Sequence, residues 1–389
     1  EEATHWRAHL HVVKGSGPKL GGWIPDVLAG IGQIGFAIDR SQTLRGIGSL
    51  ADVSKFSQKL QNENKWPWSA NIAYAAHDAR HFNAEAVREA AVAAAGPATV
   101  VALWKGEVLE QFAEMDVELP EDVATADTLE IEIEMRCPNP NAPEAGNCSA
   151  WDYLAYLFVD DPADPAQRIQ IARFITSYHR ETHWILDVSP MLAFIQASGK
   201  RHFRWEYAPE WNKQPTATYL SLRFSNRGKG MRPYLAKPLW TGGGLGTGYD
   251  AAHADLSVGI PEGAKRTELY AVITGHGAET SQCAEFCDHQ HEITVAGAAY
   301  RREHGTVGQQ DGCVQEIENG MTPNQWGTWW FGRGGWCPGQ QVAPWIEDVT
   351  AKVTPGASAA LSYHAFVNGA PPKDGSGNID MVSWLVFSK

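Results

Sequence analysis

Thr128-Leu-Glu-Ile-Glu-Ile-Glu-Met135 alternates apolar Leu129, Ile131, Ile133 and Met135 with acidic Glu130, Glu132 and Glu134. Side chains of an extended chain point to opposite faces in turn, so this period of two describes a strand with one face in a core and the other in water. Working outward, short strands are expected at 154–159, 169–175, 202–207 and 218–224, and again at 268–274, 291–295, 359–366 and 381–387. Turns rich in Asp, Pro, Asn and Gly separate them, and helical periodicity is nearly absent from 99 to 226. A weak echo links the two blocks: Leu186-Asp187-Val188-Ser189 and Glu347-Asp348-Val349-Thr350 each follow a Trp-containing apolar stretch. Many short strands in two successive blocks argue for an all-β chain of two antiparallel sandwiches.

The 389 residues exceed the size of one ordinary domain. Three zones and a linker are expected: 1–98 as an N-terminal accessory domain, 99–227 and 249–389 as the sandwiches, and 228–248 as a Gly-rich linker. In the first zone one helix is signalled, with Asn83 as N-cap, Glu85 in the first turn, an Ala-rich run to Ala95, and Gly96-Pro97 as its stop. With 43% hydrophobic and 20% charged residues, 38 Gly and 22 Pro, the composition is globular and excludes coiled coil, collagen and general disorder. The longest nearly apolar stretch, 27–38, is too short and too broken by glycine to span a bilayer. A net charge of −13 without a Lys/Arg block excludes a nucleic-acid partner. The 16 Trp supply flat apolar faces of the kind that suit sugar C–H faces.

The six Cys fall in local groups: Cys137 with Cys148, Cys283 with Cys287, and Cys313 with Cys337. Zinc spacing is missing, since no CxxC pair occurs. Near-neighbour pairing into three disulfides is the economical reading and implies export to an oxidising compartment. No basic–apolar leader opens the chain at Glu1, and a signal peptide is expected to have been removed already. Gly30-Ile-Gly32-Gln-Ile-Gly35 matches GxGxxG, and Asp52 stands about twenty positions on, but no strand–turn–helix texture surrounds it and a dinucleotide site is rejected. Cys287-Asp288-His289-Gln290-His291, with His276 upstream, places two imidazoles on one face of a strand, where a metal could bind. No third ligand is signalled, so neither a metal nor any other cofactor is expected.

The most informative segments set an ionisable residue beside or inside each Cys pair. They are Arg136-Cys137-Pro138-Asn139 with Cys148-Ser149-Ala150-Trp151-Asp152-Tyr153; Cys283-Ala284-Glu285-Phe286-Cys287; and Arg333-Gly334-Gly335-Trp336-Cys337-Pro338-Gly339. A disulfide removes local backbone freedom, which is one way to hold a catalytic side chain still.

These segments resemble the peptide N-glycosidase F family, bacterial glycoamidases that release whole N-glycans from asparagine. The resemblance extends through Arg173-Phe174-Ile175-Thr176-Ser177-Tyr178, Leu186-Asp187-Val188 and Thr274-Gly275-His276-Gly277, and covers roughly 99–389. It implies two eight-stranded antiparallel jelly rolls side by side, here preceded by the small N-terminal domain with its helix. It also implies disulfides Cys137–Cys148, Cys283–Cys287 and Cys313–Cys337.

Carried over residue by residue, Asp152 matches the family's primary catalytic aspartate and Glu285 its second essential carboxylate. Arg333 matches an arginine at the reacting GlcNAc–Asn unit. Glu206 best fits the third glutamate, which grips the chitobiose core, with Glu210 as the alternative. Tyr153 stands where the family has arginine and Ala208 where it has a tryptophan, a platform that Trp211 could fill. Tyr153, Trp211, His276 and Trp336 complete the expected substrate-binding set.

The expected reaction is hydrolysis of the glycosylated Asn side-chain amide in N-glycoproteins and N-glycopeptides. Asp152 is the central acid–base group, Glu285 orients or activates water, and Arg333 donates to the developing oxygen charge. An endoglycosidase, a non-catalytic glycan-binding sandwich and a copper monooxygenase are the competing readings. A monomer without membrane attachment is expected.

Overall fold

The computed structural model describes residues 35–38, 44–47, 69–70, 72–139, 148–195, 198–277 and 283–389. Gly30, Gly32 and Asp52 lie outside the described residues. Strands β1 (Gly35–Ile38), β2 (Leu44–Ile47) and β3 (Ser69–Ala70) form a small sheet, followed by helix α1 (Ile72–Ala94). The third glycine of the GxGxxG match thus opens a strand, whereas a dinucleotide motif needs a helix there.

Next come β4 (Thr99–Leu109), β5 (Phe112–Leu119), β6 (Thr128–Arg136), β7 (Leu154–Asp160), β8 (Arg168–Ile175), β9 (Thr182–Asp187), β10 (Gly199–Glu206) and β11 (Thr216–Ser225). The second set is β12 (Pro233–Gly244), β13 (Leu256–Gly259), β14 (Arg266–His276), β15 (His289–Val295), β16 (Ala298–Arg302), β17 (Trp345–Asp348), β18 (Ser358–Val367) and β19 (Asn378–Ser388). Short helices α2 (Tyr249–Ala252) and α3 (Cys283–Phe286) interrupt it.

Both sets fold alike. Sheets β5-β10-β7-β8 and β4-β11-β6-β9 make the first jelly roll, and β13-β18-β15-β16 and β12-β19-β14-β17 make the second. Each order of the second set is that of the first with every strand advanced by eight. The echo seen in the sequence is part of this repetition. At the end of β9, Asp187 Oδ1 accepts the Ser189 N–H (2.8 Å), Ser189 Oγ accepts the Leu129 N–H (3.2 Å) and Val188 N–H bonds Leu129 O (2.9 Å). At the end of β17, Asp348 accepts from Thr350 (2.9 Å), Thr350 Oγ1 from Thr267 (3.0 Å), and Val349 donates to Thr267 O (3.0 Å). Asp and Ser/Thr side chains bond backbone two residues away, and here they turn the chain off one strand while tying it to the next.

The alternation of 128–135 is borne out, with Leu129, Ile131 and Ile133 fully buried on β6. They face Leu157, Val159 and Phe203 in one core, which also takes Tyr270, Val272 and Val386 from the second jelly roll. The two sandwiches therefore meet through an apolar seam. Buried Arg173 of β8 crosses it, donating to Thr274 Oγ1 (2.8 Å), Asp380 O (2.7 Å) and Asp380 Oδ1 (2.7 Å).

Two expectations need correction. Helix α1 begins at Ile72, not after Asn83, and Asn83 and Glu85 are buried in its interior. Asn costs only a few tenths of a kcal/mol in a helix. No Gly or Pro precedes it within α1, and tertiary contacts of Asp78 and Arg80 hold the added turns. The stretch 228–248, expected as linker, is mostly strand β12, paired with β19. Its glycines hid the pattern: a Cβ at Gly242 would lie 1.9 Å from Ile379 O, so close approach to β19 demands glycine there.

Candidate active site

Asp152 stands on the return from β6 to β7, where the Cys137–Cys148 disulfide closes the loop. Thr176, just past β8, clips that return: its hydroxyl donates to Trp151 O (2.6 Å) and accepts the Tyr153 N–H (2.8 Å), and its N–H reaches Tyr153 O (3.0 Å). The Tyr178 hydroxyl bonds the Asp152 carboxylate. Asp152 is thus anchored on both flanks, its side chain 17% exposed.

Glu285 sits on α3, inside the Cys283–Cys287 disulfide. Its Oε2 accepts the Gly277 N–H (3.2 Å), and its backbone carbonyl accepts the Gly334 N–H (2.7 Å). The second bond ties α3 to the loop that carries Arg333, which Cys313–Cys337 closes. Gly334 and Gly335 are required there. A Cβ on Gly334 would lie 2.1 Å from His289 Nε2, and Gly335 has φ +84° with Ile273 O 2.7 Å from any Cβ.

Arg333 is buried, and its Nε donates to Glu285 Oε1 at 3.1 Å. Its Nη1 donates to Thr328 O (3.2 Å) and Phe331 O (3.0 Å), and Nη2 to Thr328 Oγ1 (3.0 Å). Nη2 also lies 3.7 Å from Asp152 Oδ2. The guanidinium rests on the Trp336 ring, 4.8 Å from its centroid. Past Cys337 the chain runs beside β8: Gly339 N–H bonds Thr176 O (3.1 Å), Ile175 N–H bonds Gln340 O (2.8 Å), and Val342 N–H bonds Arg173 O (3.0 Å). This added strand-like pairing brings the Arg333 loop of the second jelly roll against the Asp152 return of the first.

Burial raises the pKa of Asp152, with Arg333 and Tyr178 opposing it. Burial also raises that of Glu285, which Arg333 and the Gly277 N–H lower and the Asp152 charge raises further. The site is therefore two carboxyl groups, each held above its ordinary range, around one buried cation. Paired carboxyl groups of this kind can divide acid and base roles between them.

A family profile described as "Peptide-N-glycosidase F, C terminal" matches residues 246–386. Peptide-N(4)-(N-acetyl-beta-D-glucosaminyl)asparagine amidase F of Elizabethkingia miricola is 24% identical over 276 residues, 66% of this chain and 73% of that protein. The chain is similar to the peptide N-glycosidase F family, whose C-terminal part its residues 246–386 match. The solved structure of PNGase F, a glycosylasparaginase from Flavobacterium meningosepticum, shares the fold with a TM-score of 0.56 at 20% identity, over 75% of this chain and 96% of that one. PNGF-II aligns over 89% of this chain and 72% of its own, with a TM-score of 0.52 at 13% identity.

Of the residues singled out by resemblance to the peptide N-glycosidase F family, the fold brings Asp152 and Glu285 to the same Arg333 guanidinium. The Cys pairs close as the resemblance implied. Tyr153 and Trp211 meet edge to face at 6.2 Å, with Trp211 80% exposed and Asn212 Nδ2 donating to Tyr153 Oη (2.5 Å). Glu206 ends β10 and is half exposed, in an ion pair with Arg204 (2.9 Å), outside the carboxylate–Arg333 contact set. Glu210 is exposed.

Two expectations change. Trp336 is buried under Arg333, its Nε1 donating to Gly275 O (2.7 Å), so it backs the cation and offers no open sugar platform. His276 stacks on Trp336 at 5.1 Å and bonds Thr274 Oγ1 through Nε2 (2.8 Å); burial lowers its pKa to about 4 and leaves it neutral.

Sequence reasoning missed Tyr178, although it stands in the quoted Arg173–Tyr178 segment, and Trp151, 51% exposed beside it with ring centroids 6.5 Å apart. It also missed His304. That residue, and not His276, joins His289 and His291 in a cluster whose ring nitrogens lie within 4.8 Å of one another.

Proposed function

We propose that this chain hydrolyses the amide joining the innermost GlcNAc of an N-glycan to asparagine, leaving aspartate in the peptide and releasing the intact glycan as a glycosylamine. The observation that carries this reading is the buried Arg333 guanidinium held between Glu285 (3.1 Å) and Asp152 (3.7 Å). The curated relative that bears an amidase name, 24% identical, supports the same reaction class.

An amide carbonyl is a poor electrophile, so water must be activated and the departing nitrogen protonated. Glu285 is the more tightly paired carboxylate and is assigned to orient the water. Asp152, whose pKa burial raises, is assigned to move a proton at the scissile nitrogen. Arg333 spends four of its five N–H donors on Glu285, Thr328 and Phe331. It is therefore assigned to hold the two carboxylates in register, with one Nη2 donor on the Asp152 side for a substrate oxygen, a narrower role than the oxyanion donor first expected.

Exposed Trp151 and the Tyr153–Trp211 pair flank Asp152 and suit the apolar faces of GlcNAc rings. Glu206, on the rim, is assigned to the second sugar, which would convert remote binding into alignment at the bond. The disulfides fit an exported enzyme, and no helix among the described residues is long and apolar enough to cross a membrane.

Incubation with a defined N-glycopeptide and mass measurement of both products tests the reading. The expected result is a peptide carrying Asp in place of Asn, together with the whole glycan. A peptide that retains one GlcNAc on Asn would assign glycosidic cleavage instead, and glycopeptide that is bound but never consumed would assign a lectin.

A further inference from the structure

Strand β15 presents His289 and His291 on its buried face, two residues apart. The antiparallel register pairs His291 with Arg302, the last residue of β16, and His304 follows two residues beyond it, its ring centroid 4.6 Å from that of His289. All three imidazoles are buried, at 0%, 0% and 8% exposure, with ring nitrogens within 4.8 Å of one another. Three neutral imidazoles without a carboxylate form a donor set for zinc-class ions and a poor one for Mg²⁺ or Ca²⁺.

We propose that His289, His291 and His304 form a buried Zn²⁺-binding site behind the catalytic loop, separate from the Asp152–Glu285–Arg333 cleft.

His291 Nδ1 is engaged by Tyr363 Oη (2.7 Å), which is itself 3.1 Å from Tyr249 Oη. That outer bond orients the ring and turns its Nε2 inward, as partners of metal-bound histidines do. His289 Nδ1 faces that Nε2 at 2.7 Å. Its own Nε2 is turned to the backbone around Gly334, Gly275 and Ala284. A chain of hydrogen bonds through Tyr363, His291 and His289 would account for two rings. It leaves His304 unexplained, because His304 Nε2 is buried without a partner.

Burial holds all three rings uncharged at neutral pH, the form in which imidazole ligates. To hold zinc, the three rings would rotate until each ligating nitrogen stands ~2.0–2.1 Å from the ion. A cavity of about 890 Å³ beside α1 has His304 in its wall, the side from which an ion would enter. The outer faces of His289 and His304 press on Gly334 and Gly335, so a bound ion would stiffen the loop that carries Arg333 without touching substrate.

The test uses the full chain with its disulfides intact, stripped with chelator, desalted and titrated with ZnCl₂. One tightly held equivalent and a rise in melting temperature are expected. Both should be lost in H304A and in the milder His304→Gln, and both kept in His202→Ala, whose histidine is at the surface. CoCl₂ added to the unmutated protein reports the ligands directly, since a low-symmetry nitrogen site gives a visible d–d band that a weakly held hexa-aqua ion lacks. Zinc uptake that persists in both His304 variants, no retained equivalent, or a Co²⁺ spectrum like that of the free ion would each overturn the proposal. None of these readouts depends on amide hydrolysis, so the site can fail while the proposed activity stands.

Discussion

Arg333 of the second jelly roll lies 3.7 Å from Asp152 of the first, reaching across the seam between them. Neither sandwich alone holds the full set of charges. The geometry depends on the run that follows Cys337 pairing with β8, and on the glycines that let this loop pack against His289 and Ile273. Each part can be perturbed separately.

Arg333→Ala removes a buried cation from between two carboxylates. Breaking one side of a buried ion pair costs about 3–5 kcal/mol, and deglycosylation of a glycopeptide should fall at least ~100-fold. Arg333→Lys keeps the charge but cannot serve Glu285, Thr328 and Phe331 together, so it should recover stability better than turnover. Thermal melts and product masses measured side by side separate the two effects.

Asp152→Asn should abolish glycan release and raise the melting temperature. The folded protein holds Asp152 above its ordinary pKa through burial, so ionisation there opposes folding at neutral pH. Arg333 keeps Glu285 as partner in the variant. A variant less stable than the parent would contradict this account of the carboxyl group.

The disulfides should divide stability from function. In the chain-entropy account, the 24-residue separation of Cys313–Cys337 is worth about 3.4 kcal/mol and the four-residue separation of Cys283–Cys287 about 2 kcal/mol. Paired Cys→Ser changes at 283 and 287 should therefore lower turnover more than stability, because Glu285 sits inside that loop. Changes at 313 and 337 should lower both. Guanidinium unfolding and glycopeptide kinetics on the two double variants check the ranking.

Acid stability should fall between pH 6.5 and 4. His77, His81, His276 and His289 are buried and held down to about 4 from 6.5. Above 6.5 these rings are neutral in both folded and unfolded chains. As pH drops below 6.5, the unfolded chain takes up protons that the folded one refuses, at a cost of up to about 3 kcal/mol per ring, and the loss levels off once the folded rings protonate too. Asp152 and Glu285, whose values are raised, act in the opposite direction and offset part of this loss, two carboxyl groups against four rings. Melting temperatures recorded across this range should fall steadily, and His276→Asn should flatten the slope.

Helix α1 should matter to the site through Asp78. That carboxylate accepts from Arg180 Nη2 (3.0 Å) and Asn324 Nδ2 (2.8 Å), and the adjoining Gln325 Oε1 accepts the Tyr178 N–H (2.9 Å). Tyr178 in turn holds Asp152. Asp78→Ala is expected to cost about 1–3 kcal/mol and to slow glycopeptide turnover several-fold. Arg80→Ala, which removes a largely exposed bidentate pair with Glu318, should cost under about 1 kcal/mol and leave turnover unchanged. Equal effects from the two variants would argue against a path from Asp78 to the site.

What could be read in the chain is what depends on near neighbours. The two-residue period at 128–135 places Leu129, Ile131 and Ile133 inward because a pleated strand has no other choice, and the Cys pairs are close enough in sequence to point to one another. Asp152, Glu285 and Arg333 stand out because each lies beside or inside such a loop. Failures arise where distant contacts decide. Asn83 reads as a cap, yet α1 runs on through it because other elements cover its polar face. Gly242 reads as linker, yet β19 lies against it. Trp336 reads as a sugar platform, yet Arg333 covers it. His304 has no local signal, since only the packing of the chain after β16 brings it beside His289. Periodicity and covalent closure are properties of a segment, whereas burial and the meeting of charges across the seam are properties of the packed whole. That is why the sequence alone determined strands, crosslinks and candidate acids, and only the tertiary structure decided which side chains meet, which are hidden, and which imidazoles converge.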